Sequence, residues 1–371
     1  MAREAKYNSL NQPAHMLGSR RNLCTLNSFI AFAFIATVIV AFMIMMGEAP
    51  APSEEYTKYS TVTGYFLQDD EATDPKGFDF TTSNFGLKDR TYPADADLST
   101  NSKLTQWQRF AREVSRLNRD SSSKITYKLL YLGRHGEGYH NLAEAFYGTE
   151  AWDCYWSLQD GNETSTWADA LLTSVGEGQA KKANEFWRSQ IKDQKIPTPE
   201  SYYTSPLLRC LATASITFSG LDLPKEHPFI PTIKENLREV IGVHTCDRRS
   251  SKTVIHSHYP DWPFEEGFAE EDPLWSASLR ETNHAIDQRT LTAVEELFSS
   301  DKSTYISISA HSGQIASMLR VLEHRAFGLG TGQAIPVLVK AEKLPGAGPP
   351  KKDAPWETVS TCSKPPPAPT A

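Results

Sequence analysis

The chain has 371 residues, 39% of them hydrophobic, which is enough for one large α/β domain with appendages. Its formal net charge of −7 argues against a nucleic-acid partner, and no long basic run or zinc-finger spacing contradicts this. No repeat of roughly 20–50 residues is apparent, which argues against a solenoid or a propeller.

A run of twenty uncharged residues, 28–47, follows Arg20 and Arg21. About 20 apolar residues cross a hydrocarbon core as a helix, so this run is predicted to be an uncleaved transmembrane anchor. Because positive charge precedes the run, residues 1–27 are expected in the cytosol and the rest on the luminal or extracellular side. Signal cleavage followed by secretion, and a buried core helix, are the alternatives.

Four cysteines follow the apolar run, at Cys154, Cys210, Cys246 and Cys362. In an oxidising compartment they allow three complete pairings, which the sequence does not rank, and ordinary buried thiols are an equal alternative. Asn162 begins an Asn-Glu-Thr sequon that is compatible with glycosylation on the same side of the membrane.

The expected domain runs from residue 59 to residue 343. The preceding segment, 48–58, contains two prolines and is predicted to be a polar linker. The final segment, 344–371, is rich in glycine and proline and is predicted to be disordered.

Residues 125–132 are mostly aliphatic or aromatic, as in a strand that is covered on both faces. Gly136 and Gly138 follow and allow the backbone to turn closely around an anion. In open α/β sheets, ligands bind at the carboxyl ends of the strands, so we expect the site here.

Other segments alternate between strand and helix patterns along the chain. Further strands are predicted at 201–205, 305–310 and 335–339, and helices at 104–117, 141–146, 173–190, 206–214, 282–298 and 312–324. A helical patch is also expected at 235–242, a loop at 152–166, and an acidic, aromatic insertion at 256–275. The alternation predicts an α/β fold, a three-layer sandwich with a mostly parallel sheet and helices on both faces.

Three motifs occur in order: Arg-His-Gly at 134–136, Ser-Pro-Leu-Leu-Arg at 205–209, and Ser-Ala-His-Ser-Gly at 309–313. Each of these residues alone is commonly structural. Their joint order strongly resembles the signature of the histidine phosphatase superfamily, in its phosphoglycerate mutase-like branch. The segment around 59–103 also resembles the corresponding segment of fungal members, and 172–180 resembles a helix start of the superfamily.

The resemblance implies phosphoryl transfer through a covalent intermediate on His135. It implies that Arg134 and Arg209 bind the phosphate oxygens, for which a guanidinium fork is better suited than a lysine. It further implies that His311 is a second pocket histidine, protonated when phosphate is bound, and that Asn141 is a polar pocket residue.

The leaving oxygen also needs an acid. Glu239 matches the position of the proton donor in the resembled family, and an exposed helix glutamate is the alternative reading. Asp247, Glu265 and Glu266 are held in reserve. Gly138 stands where a serine is commoner, which affects one expected phosphate contact.

No cofactor or metal is predicted. His256 and His258 lack an obvious third ligand, and Ser312 does not lie in a Gly-x-Ser-x-Gly elbow. The expected function is a phosphomonoesterase that acts on a small-molecule phosphate ester. A phosphoglycerate mutase-type phosphotransferase and a catalytically silent binding protein are the alternatives, and the oligomeric state is not predicted. A mutase must exclude water and hold a sugar acid with additional cations. Hydrolysis is favoured because the insertion at 256–275 is acidic and the expected compartment lacks glycolytic substrate.

Overall fold

The apolar run at 125–132 becomes a central strand of the protein. The computed structural model describes residues 54–99, 102–350 and 353–367, and within them this run forms strand β2, Ile125–Arg134. The four side chains from Leu129 to Leu132 are almost completely buried. Burial on both faces explains why the run lacks the polar alternation of a half-exposed strand.

Eight strands and eight α-helices are assigned in the described residues. The other strands are β1 Glu55–Thr61, β3 Ser201–Thr204, β4 Thr232–Ile233, β5 Arg280–Glu281, β6 Tyr305–Ala310, β7 Ala334–Pro345 and β8 Trp356–Glu357. The α-helices are α1 Gln106–Asp120, α2 Tyr139–Tyr147, α3 Thr149–Cys154, α4 Ser174–Ser189, α5 Leu208–Phe218, α6 Lys252–His258, α7 Asn283–Ser300 and α8 Ser312–Val321.

Six of the strands form one sheet in the order β1-β7-β2-β6-β3-β4. The pairs β2–β6, β6–β3 and β3–β4 are parallel, whereas β7 lies antiparallel between β1 and β2. The predicted α/β fold is confirmed, and the antiparallel strand makes the sheet a mixed one. Strand β1 begins at Glu55, so the last residues of the predicted linker belong to the sheet.

Side chains of β2 alternate between two apolar clusters on opposite faces of the sheet. Leu130 and Leu132 pack with residues of α7 and α8, whereas Leu129 and Tyr131 pack with residues of α1 and α4. This alternation follows from the two-residue period of a strand. The sheet therefore has helices on both faces, which gives three layers.

The C-terminal segment differs from its prediction. Strand β7 continues to Pro345, β8 pairs with β5, and Cys362 forms a disulfide with Cys154. The predicted disorder therefore does not hold for residues 353–367. Cys210 and Cys246 are buried free thiols.

The predicted membrane anchor at 28–47 lies outside the described residues. None of the helices within 54–99, 102–350 and 353–367 is long and apolar enough to cross a membrane.

Local patterns also failed in two segments. The helix expected at 235–242 is only a 3-10 turn, Glu235–Leu237, because Arg238 is completely buried and forms ion pairs with Glu235 and Asp272. The loop expected at 152–166 instead begins inside α3. Tertiary contacts outweigh helix propensity in such short segments.

Candidate active site

Three neighbouring parallel strands deliver the candidate residues to one edge of the sheet. The register aligns the carboxyl ends of β2, β6 and β3. The next residues after these strands are His135, His311 and Ser205, and the ring centroids of the two histidines are 5.1 Å apart. The carboxyl edge predicted from the sequence is therefore where the motifs meet.

His135 is buried, and its Nδ1 lies 2.7 Å from the carbonyl oxygen of Gly136. A carbonyl oxygen only accepts, so Nδ1 carries the proton and Nε2 keeps its lone pair. Burial, together with the charges of Arg209 and Arg134, holds the pKa of His135 well below its ordinary value. The free imidazole is therefore neutral near pH 7, as a nucleophile requires.

Arg209 is completely buried at the start of α5. It donates from Nη1 to the carbonyl oxygen of Cys246 at 2.6 Å and from Nη2 to Oδ1 of Asp247 at 2.9 Å. These contacts fix the plane of the guanidinium. Its Nε is buried and has no hydrogen-bond partner among the described residues.

Arg134 repeats this pattern at the end of β2. It donates from Nη1 to the carbonyl oxygen of Leu329 at 2.7 Å, and its buried Nε also lacks a partner in the described part of the chain. Burial lowers the pKa of Arg134. Both guanidinium charges act on the pKa of His135. Buried donors without partners are uncommon and costly, so these two indicate a place for an anion.

His311 caps the start of α8 with its backbone. Its Nε2 lies 2.8 Å from Oγ of Ser205 and 3.4 Å from Sγ of Cys210. Burial lowers the pKa of His311 well below its ordinary value, and the charge of Arg209 adds to this effect. Without an anion, this histidine is neutral too.

Glu239 lies against the same helix start. Its Oε2 accepts hydrogen bonds from Oγ of Ser312 at 3.2 Å and from the backbone N–H of Gly313 at 3.0 Å. The carboxylate is thus held beside the two residues that follow His311.

Two of the three reserve acids are engaged elsewhere, and the third, Glu266, is exposed. Asp247 pairs with Arg209, and Glu265 accepts from the backbone N–H of Glu235 and pairs with Lys234. Of the acids named from the sequence, Glu239 is therefore the one that the geometry favours.

Asn141 contacts its own loop. Its Oδ1 accepts a hydrogen bond from the backbone N–H of Gly138 at 3.0 Å, which caps α2. A Cβ at Gly138 would lie only 2.7 Å from Nδ1 of His140. The glycine that replaces the commoner serine therefore makes room for the His140 ring.

The start of α4 clamps the Arg-His-Gly loop from the other side. Oγ1 of Thr173 caps α4 and also donates to Oε1 of Glu137 at 2.6 Å. Gly136 and Gly176 touch so closely that a Cβ on either would collide with backbone atoms of the opposite segment. The helix-start pattern at 172–180 thus has the structural role expected of it.

The sequence did not single out His140. Its ring centroid lies 5.3 Å from that of His135, and its buried Nδ1 has no partner among the described residues. Burial lowers the pKa of His140 well below its ordinary value. Its position five residues after His135 was visible, but only the fold shows that its ring turns back towards the nucleophile.

One group could offer several metal ligands. Ligand atoms of His244, Cys246 and Asp247 lie within 4.8 Å of one another. Asp247 is already paired with Arg209, and burial raises the pKa of Cys246 well above its ordinary value, which disfavours the thiolate that a metal needs. We do not assign a metal to this group.

The comparisons with known proteins agree with the motif order. The model of the histidine phosphatase superfamily (branch 1) matches residues 130–330. The chain is 50% identical over 306 residues to a protein of Arthroderma benhamiae named "Probable phosphoglycerate mutase", and the match covers 82% of this chain and 91% of that protein. It is 35% identical over 312 residues to "Phosphomutase-like protein 3" of Candida albicans, covering 83% and 88%.

Solved structures give weaker matches. The phosphoglycerate mutase of Thermus thermophilus is 20% identical, with 56% of this chain and 91% of that chain covered and a TM-score of 0.29. A match at this level carries no argument about fold or activity.

Proposed function

The chain belongs to the histidine phosphatase superfamily, and we propose that it is a phosphomonoesterase that works through a phosphohistidine at His135. The observation that carries the proposal is a buried neutral imidazole flanked by two guanidinium groups, Arg134 and Arg209, each with an unpartnered Nε donor among the described residues. A binding protein of the same fold would not need a nucleophile prepared in this way.

In the first step, Nε2 of His135 attacks the phosphorus, the N–P bond forms and the ester P–O bond breaks. The two guanidinium groups and His311 stabilise the charge on the three other oxygens. Glu239 acts as the acid of this step and gives a proton to the leaving oxygen.

In the second step, water attacks the phosphorus of phosphohistidine. The Glu239 carboxylate takes a proton from that water, the N–P bond breaks, and inorganic phosphate leaves. His135 returns to its neutral form, so atoms and charges balance over the cycle.

The phosphate itself completes the electrostatics of the site. Without it, burial and Arg209 hold His311 neutral. A bound dianion favours the protonated imidazole, so His311 takes up a proton as the dianion binds. Phosphate binding and protonation of His311 are therefore linked.

Phosphoglycerate mutase activity is the second candidate, and the names of the fungal relatives favour it. Two observations support hydrolysis instead. The insertion at 256–275 is acidic. Its Glu265 and Asp272 form ion pairs with Lys234 and Arg238, so the insertion neutralises cations and adds no positive charge to the site.

We also propose that the domain lies outside the cytosol, anchored through residues 28–47. The Cys154–Cys362 disulfide supports this location, since disulfides persist in oxidising compartments. Protease digestion of sealed vesicles tests it. Cleavage of the domain without detergent, while luminal markers stay protected, would contradict it.

The test of the activity uses purified protein, its His135→Ala variant and, as a matched control, a variant of an exposed histidine, His256→Ala. Each is incubated with a panel of phosphate esters and with 3-phosphoglycerate plus its bisphosphate. We expect release of inorganic phosphate and an acid-labile phosphoenzyme in the wild type and in His256→Ala. In His135→Ala we expect turnover to fall by at least about 10³-fold. Turnover that survives His135→Ala would refute the mechanism, and 2-phosphoglycerate formation with little free phosphate would establish the mutase.

A further inference from the structure

A cleft of about 760 Å³ opens along α2, the helix that follows the Arg-His-Gly loop. One wall is α2, which contributes Tyr139, Leu142 and Phe146, and the opposite side is formed by Trp156 and residues 162–165. Leu142 and Phe146 are 48% and 67% exposed. Apolar side chains this open on a rigid helix leave a large apolar surface in contact with water.

The wall of the cleft is held in place by its own contacts. Tyr147 and Trp156 stack with centroids 4.0 Å apart and planes inclined by 13°. Nδ2 of Asn162 donates to the hydroxyl of Tyr147 at 2.9 Å, and Nε1 of Trp167 donates to the carbonyl oxygen of Trp156 at 3.0 Å. An apolar ligand would therefore meet a preformed surface and lose little to ordering it.

One end of the cleft lies near the nucleophile, because its lining residue Tyr139 is adjacent in the chain to His140, whose ring centroid is 5.3 Å from that of His135. Tyr139 is the first residue of α2 and follows His135 by four positions. Phe146 lies seven residues further on, about 10 Å along the helix at a rise of about 1.5 Å per residue. Leu171, 55% exposed, accepts the backbone N–H of Tyr139 at its carbonyl oxygen, so apolar surface also flanks the loop on its other side.

The charges of the cleft select among phosphate esters. Of the described residues that line it, Glu163 is the only charged one. A ligand with a carboxylate or a second phosphate would find no cation there, whereas an uncharged apolar group would gain the burial of its surface.

From this proximity and this charge, we infer that the cleft binds the leaving group of the substrate, and that the substrate is a phosphate monoester of an aryl or similarly large apolar alcohol. The inference rests on the proposed phosphomonoesterase function. It assigns to Leu142 and Phe146 the discrimination between apolar and polar leaving groups.

The experiment compares 2-naphthyl phosphate with phenyl phosphate, whose leaving groups have similar chemistry but different apolar area. In the wild type we expect kcat/KM to be roughly tenfold higher for the naphthyl ester, because one more ring is buried. In the Leu142→Ala, Phe146→Ala double variant the ratio should fall to about one or two. The matched control is Ile230→Ala, another exposed apolar residue, 50% exposed, which is not part of the cleft and should keep the wild-type ratio.

A second measurement does not depend on turnover. Binding of 2-naphthol, which carries no phosphate, is titrated by calorimetry into the His135→Ala protein with and without the double substitution. We expect binding in the first and at least tenfold weaker binding in the second.

The outcomes separate the two claims. If phenyl phosphate is turned over but the naphthyl-to-phenyl ratio of kcat/KM is near one, or is unchanged by the double substitution, the role of the cleft is contradicted. The proposed phosphomonoesterase function is then unaffected. Absence of turnover of every ester, with naphthol still bound through Leu142 and Phe146, would overturn the function and retain an apolar site. A dimer that dissociates in the double variant, or naphthol binding that requires removal of a glycan from Asn162, would show another occupant and overturn the inference.

Discussion

The carboxylate of Glu239 accepts the backbone N–H of Gly313 at 3.0 Å. Free N–H groups at a helix start attract negative charge, and this contact brings the carboxylate to the position next to His311. The proposed mechanism uses this carboxylate to exchange a proton with the leaving oxygen.

If Glu239 is that acid, Glu239→Gln should reduce kcat by about 10²-fold or more for alkyl phosphates, whose leaving oxygens need a proton. The loss should be much smaller for 4-nitrophenyl phosphate, whose leaving group departs without one. Steady-state kinetics with both esters checks this.

Glu265→Gln serves as the matched control, because Glu265 pairs with Lys234. A larger loss in the control than in Glu239→Gln would assign the acid elsewhere.

The fork of Arg209 is held by Asp247 and Cys246. Arg209→Lys keeps the charge but loses the fixed donors, so we expect the inhibition constant of inorganic phosphate to rise about tenfold or more. The matched control is Arg248→Lys. Arg248 pairs with Asp160 at the surface, so this substitution should leave the inhibition constant unchanged. Equal phosphate affinity in wild type and Arg209→Lys would remove Arg209 from the phosphate site.

The buried histidines make stability depend on pH. Burial lowers the pKa values of His135, His140 and His311 well below 6.5 in the folded protein. The unfolded chain therefore binds more protons below about pH 6.5. The free energy of unfolding is therefore highest above that pH, and it decreases as the pH falls below it.

Each histidine contributes a slope of about 1.4 kcal/mol per pH unit in this window. Urea denaturation at pH 7.5 and 5.5, in buffer without phosphate, should show the loss. His140→Gln should reduce the slope by about 1.4 kcal/mol per pH unit, the contribution of one proton. Equal free energies of unfolding at the two pH values would contradict the burial of neutral imidazoles.

Gly176 and Gly178 form a matched pair on α4. A Cβ at Gly176 collides with the carbonyl oxygen of Glu137, whereas a Cβ at Gly178 meets nothing within 4 Å. Gly176→Ala should therefore displace the Arg-His-Gly loop and lower both the melting temperature and kcat. Gly178→Ala should raise the free energy of unfolding by about 0.5–1 kcal/mol without affecting kcat. Similar melting temperatures in the two variants would argue against the close packing.

The Cys154–Cys362 disulfide joins residues that are 208 positions apart in the chain. The double variant Cys154→Ala, Cys362→Ala lacks this bond. Its free energy of unfolding should be about 2–4 kcal/mol lower, and its C-terminal segment should become accessible to proteolysis. Thermal unfolding and limited proteolysis, each with and without dithiothreitol, provide the measurement. The reductant should destabilise the wild type and leave the double variant unchanged, and a reductant effect of the same size on both would point to another cause.

The sequence by itself determined the elements and the chemistry that lies within short segments. The apolar run at 125–132, the helix start at 172–180 and the three motifs are local patterns, and each became a strand, a helix start or a strand end as expected. Parallel strands with helices between them must place their carboxyl ends on one edge, so the meeting of His135 and His311 followed from the pattern.

Only the tertiary structure decided which distant segments meet. It inserted β7 antiparallel between β1 and β2, chose Cys362 as the partner of Cys154, and turned the ring of His140 towards His135. It also placed Glu239 against α8, although the helix predicted around that residue is absent. These features depend on which buried surfaces fit together across long stretches of chain, and local periodicity carries no information about that fit.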